Sequence, residues 1–472
     1  MVAFFYVLAL LAVGLSVFQL RAQPADPVAT VREPTRNDVV RYALLCVALC
    51  ATFALQTALT DRAVLAQTPL PDWFRQMPLL YFAPYAPISA SVDVGLIQWT
   101  QALAVLESAI LFGIYLVMRG RDCRRSAFVT TTFVAAAVLV AVALRSVTTD
   151  VDSYLYIGHA LVWPHEYAAP STAFAGEDAL INRMWGTPLL PSAYGPLWNF
   201  LAHVALGGTG SLAQQSLIVR LLGLSAIGVC VACVWRLRGP SIVAFVFTLD
   251  PAMYVRYLIR AHNDLSGVAL ILIAAVARST TWLAVLLIAA AGAVKFPLLL
   301  SGLVIFWDRP TLARRLVPAG AAVLLGMAVS YVSGGSEYLV ALKSVYGLYD
   351  HAPPLAERSI HLLLVAVAFA AVALALFRQR FLFGAGWSFV SLGQFPLAHY
   401  LGWCLPYVLL GEASALPFLV SWPALDQALT LEYPYTTFFL IERSLAIVLV
   451  VAAIGYALIA RRAKEPLKAS WR

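Results

Sequence analysis

Charge is what this chain has least of. Only 12% of its 472 residues are Asp, Glu, Lys or Arg, where a soluble domain carries about 25%. With 61% hydrophobic residues and a mean hydropathy of +0.82, the deficit cannot be hidden in a soluble core, which excludes a soluble protein. Regular alternation of polar and apolar positions is missing too. The apolar runs are continuous, so they read as helices and not as the strands of a barrel. Open sheets are excluded because in lipid every backbone polar group must be satisfied within a helix or a closed barrel. The expected fold is an all-α, polytopic transmembrane helix bundle of about 11 to 14 spans, at roughly 20 residues per crossing, with folded extracytoplasmic loops.

Cysteine is also scarce, with six in all. Cys46 and Cys50 lie four apart in an apolar run, and Cys230 and Cys233 form a CxxC inside VCVACVW with no second pair. This is not the spacing of a zinc site or a disulfide framework, and the cysteines read as structural. No Walker loop, GxSxG, HExxH or dinucleotide fingerprint occurs, which argues against ATP-driven transport, an α/β-hydrolase and a zincin. No internal repeat and no low-complexity linker is visible.

What is present is a series of apolar spans near 2–20, 39–60, 95–118, 126–147, 214–235, 240–258, 265–277, 316–332, 360–377 and 438–460. Further apolar sequence lies in 280–307 and 381–431. The first run has no basic leader and reads as a retained span. The net charge of +8 comes from short basic clusters between spans, so it points to topology and not to nucleic acid. The clusters are Arg32/Arg36/Arg41, Arg119/Arg121/Arg124/Arg125, Arg236/Arg238, Arg309/Arg314/Arg315, Arg378/Arg380 and Arg461/Arg462/Lys464/Lys468. All six can be cytoplasmic at once. That orientation puts the C-terminus in the cytoplasm of a multi-pass bacterial plasma-membrane protein. It leaves 61–94, 148–213, 259–264, 333–359 and a stretch near 426–436 outside.

One membrane domain is expected. It divides into N-terminal spans 1–118 with outer loop 61–94, a central part 119–315 with outer loop 148–213, and C-terminal spans 316–472. Residues 153–162 read as a short interfacial helix with Tyr154, Tyr156 and Trp163 at headgroup level. Arg278 and Arg309 both read as cytoplasmic, so the chain between them must leave and return as two short helices. The turn is expected at Lys295-Phe296-Pro297, because Pro297 cannot continue a helix interior.

Candidate functional residues are the polar groups at the outer ends of spans. Asp150 and Asp152 follow directly after an apolar run; they are solvated loop acids, or a general base with a neighbour that orients a substrate or holds a metal. Arg260, His262, Asn263 and Asp264 stand in RAHNDLSG. Asn263 or Asp264 suits a helix N-cap, and the set also suits a phosphate and a sugar. Lys295 either snorkels to headgroups or contacts a phosphate. Tyr194-Gly195-Pro196 reads as a turn before a helix. Glu166, Glu177 and Asp178 read as solvated charges. Trp163, Tyr167, Trp185 and Trp198 read as interface anchors or sugar platforms. His399 and Trp403, in HYLGWCLPY, are placed to flank a lipid-linked substrate.

The series TTDVDSYLYIG, SAYGPLW, AHNDLSG and AAAGAVKFP, in that order, resembles the polyprenol-phosphate-mannose-dependent α-1,6-mannosyltransferases of actinobacteria, in the GT-C glycosyltransferase superfamily. The likeness covers roughly 145–300, with a looser one near HYLGWCLP. It implies a GT-C-like multispanning enzyme that transfers a hexose, mannose in that family, from a polyprenyl phosphate to a hydroxyl of a cell-envelope glycan or glycolipid at the extracytoplasmic face. Asp150 matches the family's base. Tyr154, Gly158, Tyr194, Gly195 and Pro196 match its outer-loop pattern, and His262, Asn263, Asp264 and Lys295 its later motifs. The chain departs from the pattern at Asp152, where a non-acidic residue is usual, and at WPHEY. On this reading Lys295, Arg260 and His262 hold the donor phosphate, and Tyr154, Tyr194, Asn263, Asp264 and His399 hold the sugar or acceptor. The chemistry requires no cofactor and no metal, and the partners are the lipid-linked sugar, the acceptor and membrane lipids, with no nucleic acid. A transporter or flippase for a lipid-linked sugar, or a non-catalytic envelope-assembly protein, are the alternative functions.

Overall fold

The computed structural model describes residues 32–65, 94–146, 151–168, 191–208, 210–306, 309–347, 402–403, 405–410 and 415–430. The expected spans 2–20, 360–377 and 438–460 lie outside these residues, as do Asp150, Glu177, Asp178, Trp185 and His399. The described chain is all helical, apart from an isolated bridge that pairs Arg32 with Arg121.

The helices are α1 (Arg36–Leu65), α2 (Val94–Met118), α3 (Ser126–Arg145), α4 (Val151–Leu161), α5 (Pro196–Leu206), α6 (Leu212–Arg238), α7 (Ile242–Leu249), α8 (Pro251–Tyr254), α9 (Asp264–Val276), α10 (Thr281–Val294), α11 (Leu298–Gly302), α12 (Leu312–Gly347), α13 (Leu405–Leu410) and α14 (Ala415–Thr430). Five are long and apolar enough to cross a membrane: Arg36–Arg62, Trp99–Met118, Ser126–Arg145, Leu212–Arg238 and Leu312–Leu342. The apolar pair Ile242–Leu249 and Pro251–Ile259 is bent by 44° at its break, the form of either a broken crossing or a re-entrant segment. Large apolar side chains cover the outer faces of the long helices; Val332 is 83% exposed, and Leu44, Val47, Val134 and Leu324 are exposed as well. Patches of this extent need an apolar surrounding, and this is a membrane protein.

α12 runs on to residue 347, interrupted at Gly335 (φ 61°), so 333–347 is helical. α14 continues to Thr430, with Asp426 buried inside it.

The helices alternate in direction. Arg32, Arg121, Arg125 and Asp38 meet at one end of α1–α3, where Arg121 pairs with Asp38 at 3.2 Å. Arg309 donates to the Arg278 carbonyl at 2.7 Å and to Thr281, so both ends of the 278–309 segment lie together, as the sequence requires. α10 ends at Val294, the chain turns over 295–297, and α11 returns with a 3₁₀ turn, Leu303–Phe306. At about 1.5 Å per residue, α9 and α10 lift their far ends roughly 20 Å from that basic end.

The middle of the chain is made of broken helices. Asp250 precedes Pro251, and the residue before a proline is forced extended (φ −68°, ψ 113°). α7 therefore stops there. Pro251 then opens α8 at its first position, and Asp250 Oδ1 caps it by accepting from Ala252 N at 3.0 Å. A π-helical turn, Val255–Ile259, follows. Such turns are rare and are found mostly at functional sites. Two residues beyond it stands Ala261, whose φ of 55° is a left-handed conformation that an alanine adopts only under constraint.

One hydrophobic core joins α1, α2, α3, α6, α7, α9 and α10. A second joins α4, α5 and the start of α6 around Tyr154, Tyr156, Tyr194 and Trp198. The helix at 151–161 is thus present, and its tyrosines face protein. Tyr154 and Tyr156 are fully buried, because α4 packs flat on α5 and α6; Trp163 alone of the three is exposed.

Candidate functional site

The far end of the broken segment gathers residues from four separate parts of the chain. Lys295, just after α10, places its Nζ 2.7 Å from Asp264 Oδ1. Trp403 donates its indole N–H to the same oxygen. The Lys295 ammonium lies 5.5 Å from the Trp403 ring and 5.7 Å from the Tyr194 ring, within the range of a cation–π contact. On the other side of residues 262–264, His262 Nδ1 lies 3.3 Å from Asp152 Oδ2. Between them Asn263 accepts from Tyr156 OH at 3.2 Å, and its backbone N–H donates to that hydroxyl at 3.3 Å. Tyr156 stacks edge-on against Tyr194 at 4.7 Å and against Trp198 at 5.1 Å.

The local sequence explains the placement. Asn263 sits at the N-cap position of α9 without capping it, in an αR conformation. Tyr156 takes its side-chain oxygen instead, so the capping role expected of Asn263 is replaced by a tertiary bond. Asp264 opens α9, where the helix dipole favours an anion. Gly195 donates its N–H to the Val294 carbonyl at 3.0 Å. A side chain there would overlap the Ala293 carbonyl; only glycine lets the 194–196 turn lie against the end of α10 and put Tyr194 beside Lys295. Pro196 then starts α5, as the turn reading expects.

Asp152, Tyr194, His262, Asn263, Asp264, Lys295 and Trp403 are therefore brought together. Arg260 is half-buried at the end of the π turn beside them. Tyr154 lies in the second core, fully buried. Lys295 is no snorkelling lysine; it is buried and paired. Asp264 Oδ2 and Asn263 Nδ2 are buried with no hydrogen-bond partner among the described residues. They are an acceptor and a donor on adjacent residues, beside a cation.

A second polar group joins residues 166–167 to Ser192 and Asn199. Glu166 accepts from Asn199 at 3.4 Å, and Asn199 also donates to Tyr167 OH and Ser192 Oγ, both at 3.0 Å. Glu166 is buried, not solvated, and burial holds its carboxyl above the usual range against the opposing hydrogen bond from Asn199. Tyr167 and Trp198 are likewise core residues and not interface anchors. Trp163 stacks on His203 at 4.6 Å.

The sequence suggested Tyr156 only as an interfacial aromatic and gave no role to Arg220 or Arg256. Arg220 is fully buried in α6, where it donates to the Leu258 carbonyl at 3.0 Å and to that of Ala143, tying the π turn to α3. The signal was available: a charge inside an apolar span is a functional or structural candidate by default. Comparisons with protein-family models, with curated proteins and with solved structures returned no match.

Proposed function

We propose that this chain is a membrane glycosyltransferase that moves a hexose, mannose on the family resemblance, from a polyprenyl-phosphate donor to a hydroxyl of an envelope glycan or glycolipid at the extracytoplasmic face. The observation that carries the reading is the unsatisfied pair Asp264 Oδ2 and Asn263 Nδ2 beside the Lys295 ammonium. A sugar hydroxyl both donates and accepts, and a phosphate calls for a buried cation. The Tyr194 and Trp403 rings flank that cation and offer apolar faces.

In the reaction, Asp150 takes the proton from the acceptor hydroxyl as its oxygen attacks the anomeric carbon, a contribution of about 10²–10⁴-fold. The bond to the prenyl phosphate breaks, and that group departs as an anion stabilised by Lys295, with Arg260 and His262 close by. Asp152, held against His262, orients the acceptor side. A single displacement inverts the anomeric centre. It needs no enzyme nucleophile, and no metal enters the scheme.

Asp150→Asn is expected to leave the protein in the membrane and abolish transfer. Lys295→Met, assayed on the monodisperse protein, raises KM for the lipid-linked donor more than for the acceptor; the opposite split counts against a phosphate role. A second reading, a carrier for the lipid-linked sugar, is favoured by the bent α7–α8 pair, since broken helices line many transport sites. The two separate cleanly: a carrier moves the donor intact, whereas a transferase cleaves it.

A further inference from the structure

Inside the bundle, away from that site, three carboxyl groups converge on the break between α7 and α8. Glu107 projects from α2, Asp250 marks the break and Asp426 comes from α14. Each is at most 1% exposed. Glu107 lies within electrostatic range of both Asp250 and Asp426, and Ser108 Oγ accepts from Ala424 N at 3.2 Å, clamping α2 to α14 beside them. Glu107 is eleven residues along its helix from Met118, about 16 Å, near the midplane of a slab of hydrocarbon roughly 30 Å thick.

The charges do not balance. Among the described residues one cation faces the three acids, Arg256 on the π turn, and it is committed to Asp426 through both the side chain and, at 3.3 Å, the backbone carbonyl. Asp250 has its own partner in the Ala252 N–H. Glu107 has neither. Its Oε1 is buried without any hydrogen-bond partner, and so is Asp250 Oδ2. The other titratable groups around the cluster are Tyr254 and Tyr257 on the bent segment and Cys50 on α1, none of which supplies a positive charge. A lone buried carboxylate in such surroundings is neutralised sooner than tolerated. A proton on the acid that has neither a cation nor a hydrogen bond restores the balance.

We propose that Glu107, Asp250 and Asp426 form an intramembrane proton-binding site in which Glu107 carries the proton at neutral pH. The site stands independently of the glycosyl-transfer reading. Tyr257 lies within electrostatic range of Asp426 and of Asp264, so the π turn separates the proton site from the outer cluster by one side chain.

Infrared spectroscopy of the purified full chain at neutral pH tests this. Solvated Asp and Glu are fully ionised there, with ordinary pKa values of about 4, so a protonated-carboxyl stretch reports only unusual groups. The spectrum of the wild type minus that of Glu107→Gln is expected to contain the carbonyl stretch of a neutral acid, shifted by D₂O, and to lack a carboxylate band. A carboxylate band in that difference overturns the proposal. Should Glu107→Gln fail to fold, the wild-type background with ¹³C-labelled Glu carboxyls and Glu166→Gln decides. A Glu acid band that persists supports the proposal, and the absence of any Glu acid band overturns it.

Discussion

The long helices α1, α2, α3 and α6 and the broken segment 242–306 solve the same problem differently. The first group crosses in 20 to 27 regular residues, satisfying its backbone within each helix and turning large apolar side chains outward. The second is cut into pieces of 8, 4, 13 and 14 residues (α7, α8, α9 and α10), with a π turn, a left-handed alanine and free chain ends at depth. Irregular backbone survives in a membrane only where protein surrounds it, and residues 244–275, which hold the breaks, are almost wholly buried. The regular helices form the wall. The broken ones bring Asp250, Arg256, His262, Asn263, Asp264 and Lys295 to places that a straight helix would not reach.

The comparison breaks if substitutions in the two regions have the same effect. The largest effect is expected at the buried pair. Lys295→Met leaves Asp264 charged and buried and is expected to cost about 3–5 kcal/mol, while Lys295→Met/Asp264→Leu recovers much of the loss. Thermal or denaturant unfolding of the three variants gives the coupling. Equal losses in the single and double variants would mean that the pair is not what holds α9 to α10.

A smaller effect separates two glycines of one regular helix. In α6, a side chain at Gly223 would overlap the Tyr257 carbonyl of the π turn, whereas nothing lies within 4 Å of a side chain at Gly228. Gly223→Ala is expected to cost about 1–3 kcal/mol through overpacking. Gly228→Ala is expected to be neutral or to stabilise by roughly 0.5–1 kcal/mol. Unfolding midpoints of the two variants check this, and a harmless Gly223→Ala would deny that α6 supports the broken segment.

The smallest effect is a pH slope at Glu166. Its folded carboxyl titrates above the ordinary value because it is buried. The native state therefore holds the proton more tightly than the unfolded chain does. The contribution to stability is full below about pH 4.3, the ordinary Glu value, and is lost as pH rises through the folded value. The protection factors of α5 amides, which remove the intrinsic pH dependence of exchange, are expected to fall across that window in the wild type and to stay flat in Glu166→Gln.

The sequence disclosed these features unevenly. The helical membrane character was legible because apolar runs of that length have no soluble alternative. The turn at Lys295–Pro297 was legible because Arg278 and Arg309 cannot both be basic ends unless the chain reverses between them. His262, Asp264 and Lys295 stood out as polar groups at the ends of apolar runs. Their partners did not stand out, because Asp264 meets Lys295 and Trp403 only once α9, α10 and residue 403 are packed. The burial of the α4 tyrosines was not legible, because aromatic residues next to a span suit an interface and a small buried core equally well. Glu107 and Asp426 escaped notice because each stands alone in an apolar run that still passes as a span.

The most direct measurement supplies the purified chain with labelled polyprenyl-phospho-mannose, competing hexose donors and an envelope glycan acceptor, and follows the label. The wild type is expected to cleave the donor and transfer its sugar with inversion, and Asp150→Asn is expected to leave the donor intact. A label that stays on the prenyl phosphate with every hexose donor, or transfer that continues undiminished in Asp150→Asn, contradicts the account.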